Sequence, residues 1–167
     1  MAIGIETERK LIIRMPECSV LESEADYRKS EITQIYFASD DGMTHRVRRR
    51  IYNDKTVYTE TKKTRISRMS VIEDEREISG EEYEALLASL IVIGSLTKAR
   101  HAFTFQGHTV EIDIYPQWTR SCVLEVELAS EEEALMLPSY IEVLRDVTGS
   151  RDYSNHTMSK KFPEEII

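Results

Sequence analysis

Short segments of alternating apolar and charged residues recur along most of the chain. In the first of them, residues 3–14, Glu6, Glu8 and Lys10 occupy alternate positions, whereas Ile5 and Leu11 fall in the other register. Successive side chains of a β-strand point to opposite faces, so this period predicts a strand with one charged face and one apolar face. A single strand of this kind is typical of a solvent-exposed sheet. Because nearly every later segment repeats the pattern, the set predicts a charged cavity enclosed by the sheet.

Seven further segments combine this alternation with β-branched and aromatic residues, which favour strands. They are residues 32–37, 43–52, 56–63, 71–78, 96–105, 109–115 and 122–128. Turn sequences separate several neighbours, namely Asp40-Asp41-Gly42, Asn53-Asp54-Lys55 and Gln106-Gly107-His108. We therefore expect about eight strands in an antiparallel sheet, which can curl into a barrel.

Helical signals punctuate the predicted strands at two places. Ser79 and Glu82 form a capping box ahead of apolar residues at helical spacing, and Gly94 is expected to end that helix. A second capping box opens another predicted helical region over residues 130–149. Residues 15–29 are polar and acidic, which indicates a loop with a short helix. The apolar stripes of the helices are expected to cover the apolar face of the sheet.

Composition narrows the function classes. The chain has 167 residues, 41% of them hydrophobic and 31% charged, which is typical of one globular domain. Its net charge of −8 argues against general affinity for nucleic acid or anionic membranes. We find neither a bilayer-spanning apolar run nor the apolar core of a signal peptide. Cys18 and Cys122 lack metal-ligand spacing, which favours reduced thiols in a cytoplasmic protein.

Residues of both signs occupy the predicted charged faces. If the sheet closes, they line an interior that must hold water, metal ions and an anionic ligand, because unpaired buried charge is costly. The basic members suit phosphate, and the acidic members suit divalent cations with oxygen ligands. The basic set is Lys10, Arg46, Arg48, Arg50, Lys62, Lys98 and Arg100; the acidic set is Glu6, Glu8, Glu73, Glu75, Glu77, Glu111, Asp113, Glu125 and Glu127. Together they predict a metal–polyphosphate site.

An ordered series of motifs across almost the whole chain resembles the CYTH superfamily, the triphosphate tunnel metalloenzymes. Each motif has the strand parity that the pattern above requires. The matching elements are Glu6-x-Glu8-x-Lys10, Gln34 with Tyr36, Arg46-Val47-Arg48, Lys62, Glu75-Arg76-Glu77, Lys98-Ala99-Arg100, Asp113, Glu125-Val126-Glu127 and Tyr153-Ser154-Asn155.

The resemblance implies a fold and an activity. The fold is α+β but mainly β, an eight-stranded antiparallel closed barrel with a charged interior and helices packed outside. Residues 1–167 are expected to form a single domain, with residues 150–167 as a C-terminal tail or plug. The activity is hydrolysis of inorganic triphosphate with Mg²⁺ or Mn²⁺. The expected partner is a small-molecule triphosphate, without duplex nucleic acid or membrane, and the protein is expected to be a monomer or homodimer.

The resemblance also implies roles for individual residues. The predicted metal ligands are Glu6, Glu8, Glu125 and Glu127. The predicted phosphate ligands are Lys10, Arg46, Arg48, Lys62, Lys98 and Arg100. Lys10, with Glu6 and Glu8, is assigned to the catalytic step, and Glu75, Glu77 and Asp113 are expected to support the basic residues or join the metal shell.

Two other functions remain open at this point. An enzyme for an organic triphosphate (a thiamine triphosphatase, a nucleoside triphosphatase or a class IV adenylyl cyclase) needs an aromatic or apolar pocket at the tunnel mouth. Candidates for that pocket are Tyr36, Tyr58, Tyr115 and Trp118. The other alternative is a polyphosphate-binding module without catalysis, although such a module needs the basic residues more than the carboxylates.

Overall fold

A computed structural model describes residues 2–40 and 42–167 of the chain; Asp41, in the predicted turn at 40–42, lies outside the described residues. Within the described part, nine strands and three α-helices follow one another. The strands are β1 (Ala2–Arg14), β2 (Arg28–Phe37), β3 (Met43–Tyr52), β4 (Lys55–Arg65), β5 (Ser70–Ile78), β6 (Val92–Phe105), β7 (His108–Ile114), β8 (Ser121–Glu127) and β9 (Val143–Asp146). The helices are α1 (Cys18–Glu22), α2 (Gly80–Ser89) and α3 (Asn155–Lys160).

The first eight strands close into an antiparallel barrel, which confirms the predicted fold. Around the barrel the order is β5-β4-β3-β2-β6-β7-β8-β1, and β1 closes the ring by pairing with β5 as well as β8. Residues 2–7 of β1 pair with β5 and residues 8–14 pair with β8. Since β9 pairs with residues 11–13 of β1, it occupies the edge that β5 leaves free. Such closure removes the exposed sheet edges.

Helix α2 begins where the sequence predicts but ends earlier. The Ser79 hydroxyl accepts a hydrogen bond from the Glu82 amide, so the capping box is confirmed. The helix ends at Ser89, and Gly94, its expected end, lies within β6 instead. A Cβ atom on Gly94 would lie 2.4 Å from the Ser159 Oγ atom, so glycine permits the close packing of α3 on β6 at this position.

The helix predicted over residues 130–149 is wrong. Residues 128–142 have no helix, and β9 follows them. The Glu133 carboxylate accepts a hydrogen bond from the Ala129 amide at 2.7 Å and so closes a turn rather than a helix. Leu135 and Leu137 pack on the outer surface of the barrel while Met136 between them is exposed, a period of two residues that suits an extended segment.

Residues 150–167 cover one end of the barrel. Four inward-facing apolar side chains fill that end, Ile12, Leu96, Tyr115 and Val123, and the C-terminal Met158 and Phe162 pack against them. The Glu165 carboxylate accepts hydrogen bonds from the backbone amides of Thr119 and Arg120, in the loop before β8, and of Ser121, the first residue of β8, at 2.8 Å. No helix among the described residues is long and apolar enough to cross a membrane.

Candidate functional site

Two adjacent cavities lie inside the barrel. The large cavity has a volume of about 710 Å³, and the small cavity has a volume of about 220 Å³. They share Arg48, Glu75, Arg100 and Glu111, so these four side chains lie at the junction. The charged residues that line the large cavity are Glu6, Glu8, Lys10, Arg46, Arg48, Lys63, Arg65, Arg68, Glu73, Glu75, Arg100, Glu111, Glu125, Glu127 and Arg151.

Carboxylates face one another on neighbouring strands of the large cavity. The register of β1 and β8 places Glu8 opposite Glu127, and the register of β7 and β8 places Glu111 opposite Glu125. Like charges directly opposite each other are destabilising. Burial and the negative charge of Glu125 raise the pKa of Glu8 to about 8. The buried Glu125 Oε1 atom lies 3.3 Å from the Lys10 Nζ atom and accepts no well-aligned hydrogen bond from a described residue. This oxygen-rich donor set therefore fits a hard divalent cation.

Two lysines supply positive charge among these carboxylates. The Lys63 Nζ atom bridges Glu6 at 2.9 Å and Glu73 at 3.2 Å. Burial opposes ionisation of Glu6, but the Lys63 charge, the hydrogen bonds with Glu73 and Lys63 and the Arg46 charge together outweigh it and lower the pKa of Glu6. Lys10 lies 3.3 Å from the Glu125 Oε1 atom and donates to the Tyr153 carbonyl. Across residues 2–40 and 42–167, no three Asp, Glu, His or Cys side chains already lie close enough together to hold a metal ion.

Arg46 and Arg48 on β3 place two positive charges on the inner face of the barrel. The Nε atoms of both are buried and, within the described part of the chain, have no hydrogen-bond acceptor. The Arg48 Nη2 atom donates to the Gln34 side chain at 3.0 Å, which holds the guanidinium in place. Burial and the charges of Arg46 and Arg100 lower the pKa of Arg48 to about 10. Phosphate oxygens have the geometry and charge to satisfy such donors.

A buried charge network fixes the position of Arg100. Asp113 accepts hydrogen bonds from the Lys98 Nζ atom at 2.7 Å and from the Arg100 Nε atom at 2.7 Å. Another Arg100 nitrogen donates to Glu111 at 2.7 Å. The side chains of Lys98 and Asp113 have no solvent exposure and line neither cavity. Arg100 thus faces the cavities, whereas Lys98, which the sequence predicts as a phosphate ligand, is buried with Asp113 and lines neither of them.

The placement of Lys62 on the charged inner face is wrong. Lys62 is exposed on the outside of the barrel, opposite His45, which packs on Phe37 there. Its neighbour Lys63 lines the large cavity. Glu60, which shares the parity of Lys62, also lies outside and accepts hydrogen bonds from His45 and Arg76. Sequence reasoning therefore missed Lys63, by one residue.

The hairpin between β3 and β4 contains the signal for the correct face. Asn53 and Asp54 have φ values of 46° and 62° and form a two-residue turn, so Tyr52 pairs with Lys55. That pairing places Arg46 opposite Thr61 and Arg48 opposite Thr59. Odd-numbered residues of β4 must then face inward with the arginines. Treating Lys55 as a third turn residue conceals this register.

The acidic residues that the sequence predicts in a supporting role do not all lie at the cavities. Glu75 lines both cavities and accepts a hydrogen bond from the Thr61 hydroxyl at 2.8 Å. Glu77 is exposed and lines neither cavity. Glu73, outside the predicted ligand set, contacts Lys63, and its pKa is raised to about 7 by burial and by its hydrogen bond with Glu6.

The four aromatic residues predicted as candidates for the tunnel mouth lie in three different parts of the structure. Tyr36 lines the large cavity. Tyr58 packs against Tyr83 of α2 on the outside of the barrel. Tyr115 and Trp118 are buried in the cluster beneath the C-terminal segment, with Tyr115 donating to the Asn155 side chain at 2.6 Å. Tyr36 is thus the one of the four in contact with the large cavity.

The protein is a closed antiparallel barrel whose interior cavities are lined by basic and acidic side chains. The chain belongs to the CYTH domain family, whose model matches residues 4–160. It is 32% identical over 160 residues to the inorganic triphosphatase of Acetivibrio thermocellus, covering 95% of each chain.

Solved structures share the fold. A crystal structure of an inorganic triphosphatase has a TM-score of 0.59 at 21% identity and covers 95% of this chain and 97% of its own. A protein from Pyrococcus horikoshii has a TM-score of 0.59 at 18% identity, covering 75% of this chain and 80% of its own. These likenesses show the same tunnel architecture in proteins of low sequence identity.

Proposed function

We propose that the protein is a divalent-metal-dependent hydrolase of inorganic triphosphate, which it cleaves to orthophosphate and pyrophosphate. One observation carries the proposal: a single cavity presents the unpaired Nε atoms of Arg46 and Arg48 together with the facing carboxylates of Glu8 and Glu127. The name of the Acetivibrio relative, an inorganic triphosphatase, supports the choice of substrate.

In this proposal the basic residues would bind the substrate and the acidic residues would bind the cation. Arg46, Arg48 and Arg100 would bind the phosphates and neutralise charge that spreads over their oxygens during transfer. Glu6, Glu8, Glu125 and Glu127 would hold the divalent cation, which, when bound, supplies Lewis-acid polarisation and activates water. Lys10 lies close enough to Glu125 to be oriented by it while its ammonium group faces the large cavity. Lys63 would hold Glu6 ionised for the cation.

A second candidate, hydrolysis of an organic triphosphate, is favoured by Tyr36, which pairs with Arg46 across β2 and β3 and lines the large cavity. An aromatic side chain beside a charged site is suited to an organic group attached to the phosphates. This feature makes the substrate comparison the deciding experiment.

The experiment measures phosphate release from tripolyphosphate, ATP and thiamine triphosphate at equal concentration, with Mg²⁺ or Mn²⁺ and with EDTA. We expect tripolyphosphate to have the highest kcat/KM and EDTA to abolish release, because the cation that the carboxylates would hold supplies the Lewis-acid polarisation that hydrolysis needs. Restoring Mg²⁺ or Mn²⁺ should restore activity. Preference for an organic triphosphate would replace the first proposal with the second. Tight binding without turnover in either metal would contradict both and indicate a binding module.

Separate substitutions of the two adjacent lysines of β4 test which of them lies on the inner face of the barrel. Lys63→Gln should lower kcat/KM about tenfold or more, since Glu6 and Glu73 would lose their shared cation at a cost of about 1.5–3 kcal/mol. Lys62→Gln, the matched control on the outside, should change kcat/KM less than twofold. The same decrease in both variants, or a decrease in Lys62→Gln alone, would contradict this assignment of faces.

A further inference from the structure

We propose that the small cavity is a separate phosphate subsite, organised by Arg50, which takes the terminal phosphate of an inorganic chain longer than three units. The inference rests on the proposed function, because it treats the large cavity as the site of the first three phosphates. Neither the motif series nor the comparisons assign a role to Arg50.

Arg50 continues the row of inward-facing arginines on β3. Arg46 lines the large cavity, Arg48 lines both, and Arg50 lines only the small cavity. Alternate residues of a strand are roughly 7 Å apart, so the row spans about 14 Å along the barrel interior. A linear polyanion extended past Arg48 from the large cavity therefore reaches Arg50 next.

The acidic residues of the small cavity already have partners. Glu111 accepts a hydrogen bond from Arg100 at 2.7 Å, and Glu75 accepts one from the Thr61 hydroxyl at 2.8 Å. None of the ion pairs among the described residues involves Arg50. The buried Nε atom of Arg48, at the junction, lacks an acceptor as well. The small cavity thus has two guanidinium groups with unused donors.

These donors are suited to phosphate. Guanidinium groups bind phosphate oxygens through parallel hydrogen bonds, and a half-buried cation attracts an anion more strongly than one in bulk water. Thr59, cross-strand from Arg48, adds a hydroxyl to the lining. The volume of about 220 Å³ exceeds several times the roughly 30 Å³ that one water occupies, which leaves room for a phosphoryl group.

The test measures binding in the presence of EDTA, so that no turnover is required. Titration calorimetry compares linear tripolyphosphate with linear tetrapolyphosphate on the wild-type protein and on Arg50→Gln. We expect the wild type to bind tetrapolyphosphate the tighter of the two. The loss of affinity in Arg50→Gln should be about tenfold greater for tetrapolyphosphate than for tripolyphosphate, the size of one charge-assisted hydrogen bond. Arg50→Lys should retain part of the preference, since it keeps the charge.

The matched control is Arg49→Gln, because Arg49 neighbours Arg50 but is exposed and lines neither cavity. That variant should bind both chains like the wild type. Equal losses for both chain lengths in Arg50→Gln, or none, would overturn the proposal. Free orthophosphate has the same chemistry: if Arg50→Gln weakens orthophosphate alone, the subsite takes released product instead of a chain end. Failure of the wild type to hydrolyse tripolyphosphate would refute the proposed function, whereas the chain-length comparison would still test this subsite.

Discussion

Glu125→Gln is expected to reduce kcat/KM for triphosphate hydrolysis by about 100-fold or more. The amide keeps the shape of the side chain but removes the negative charge, and stabilisation by a bound cation amounts to several kcal/mol in reactions of this kind. Glu125 pairs with Lys10 of β1 on one side and with Glu111 of β7 on the other. Its buried Oε1 atom accepts no hydrogen bond from a described residue. The measurement is steady-state phosphate release together with Mn²⁺ affinity by calorimetry.

The control for this variant is Glu132→Gln, which removes one negative charge from an exposed position outside the barrel. It should leave both quantities within twofold of the wild type. Thermal unfolding of Glu125→Gln shows whether the protein remains folded. If a folded Glu125→Gln protein kept wild-type activity and Mn²⁺ affinity, the assignment of Glu125 to the cation site would be wrong.

Asp113→Asn is expected to have the largest effect on stability. Asp113 is fully buried and is the common acceptor for Lys98 and Arg100. Burial and the Arg100 charge lower the pKa of Lys98 to about 7, so its charged form depends on this carboxylate. Breaking a buried ion pair by removing one partner costs about 3–5 kcal/mol. In a chain of this size that corresponds to a decrease in Tm of about 10 °C.

The control for Asp113→Asn is a variant that removes one negative charge but leaves the ion pairs of Lys98 and Arg100 intact. Asp152→Asn, at an exposed position, should shift Tm by less than about 2 °C. Combining Asp113→Asn with Lys98→Met removes one of the stranded cations and should recover part of the lost stability. A Tm for Asp113→Asn within about 2 °C of the wild type would show that the network contributes little.

Much of the barrel could be predicted from alternation alone. Where one face is charged and the other apolar, as where Glu125 and Glu127 alternate with Leu124 and Val126, burial of the apolar side leaves one choice of face. Helix α2 was equally accessible, because its capping box is followed by apolar residues at helical spacing. The capping signal at residues 130–133 wrongly indicated a helix, because the Glu133 carboxylate accepts a hydrogen bond from the Ala129 amide in a turn.

Strand β4 was ambiguous because both of its faces carry polar residues. Its sequence Thr-Glu-Thr-Lys-Lys offers no apolar face over residues 59–63, so hydrophobic periodicity cannot orient it. Packing of Tyr58 on Tyr83 and the ion pairs of Glu60 stabilise one orientation, with Lys63 inside. A shift of one residue exchanges every side chain between the two faces, which is why a correct strand still gave the wrong lysine.

The sequence by itself determined the barrel class, the charged interior and most of the side chains that face it, because a period of two residues records which face is buried. Tertiary structure decided which charges meet. Lys98 and Asp113 lie behind Arg100 instead of in a cavity, and Tyr115 and Trp118 lie beneath the C-terminal segment. Parity assigns a side chain to the interior, but depth along the tunnel and the neighbours from distant strands depend on register and closure. Those are properties of the whole barrel, which no single strand encodes.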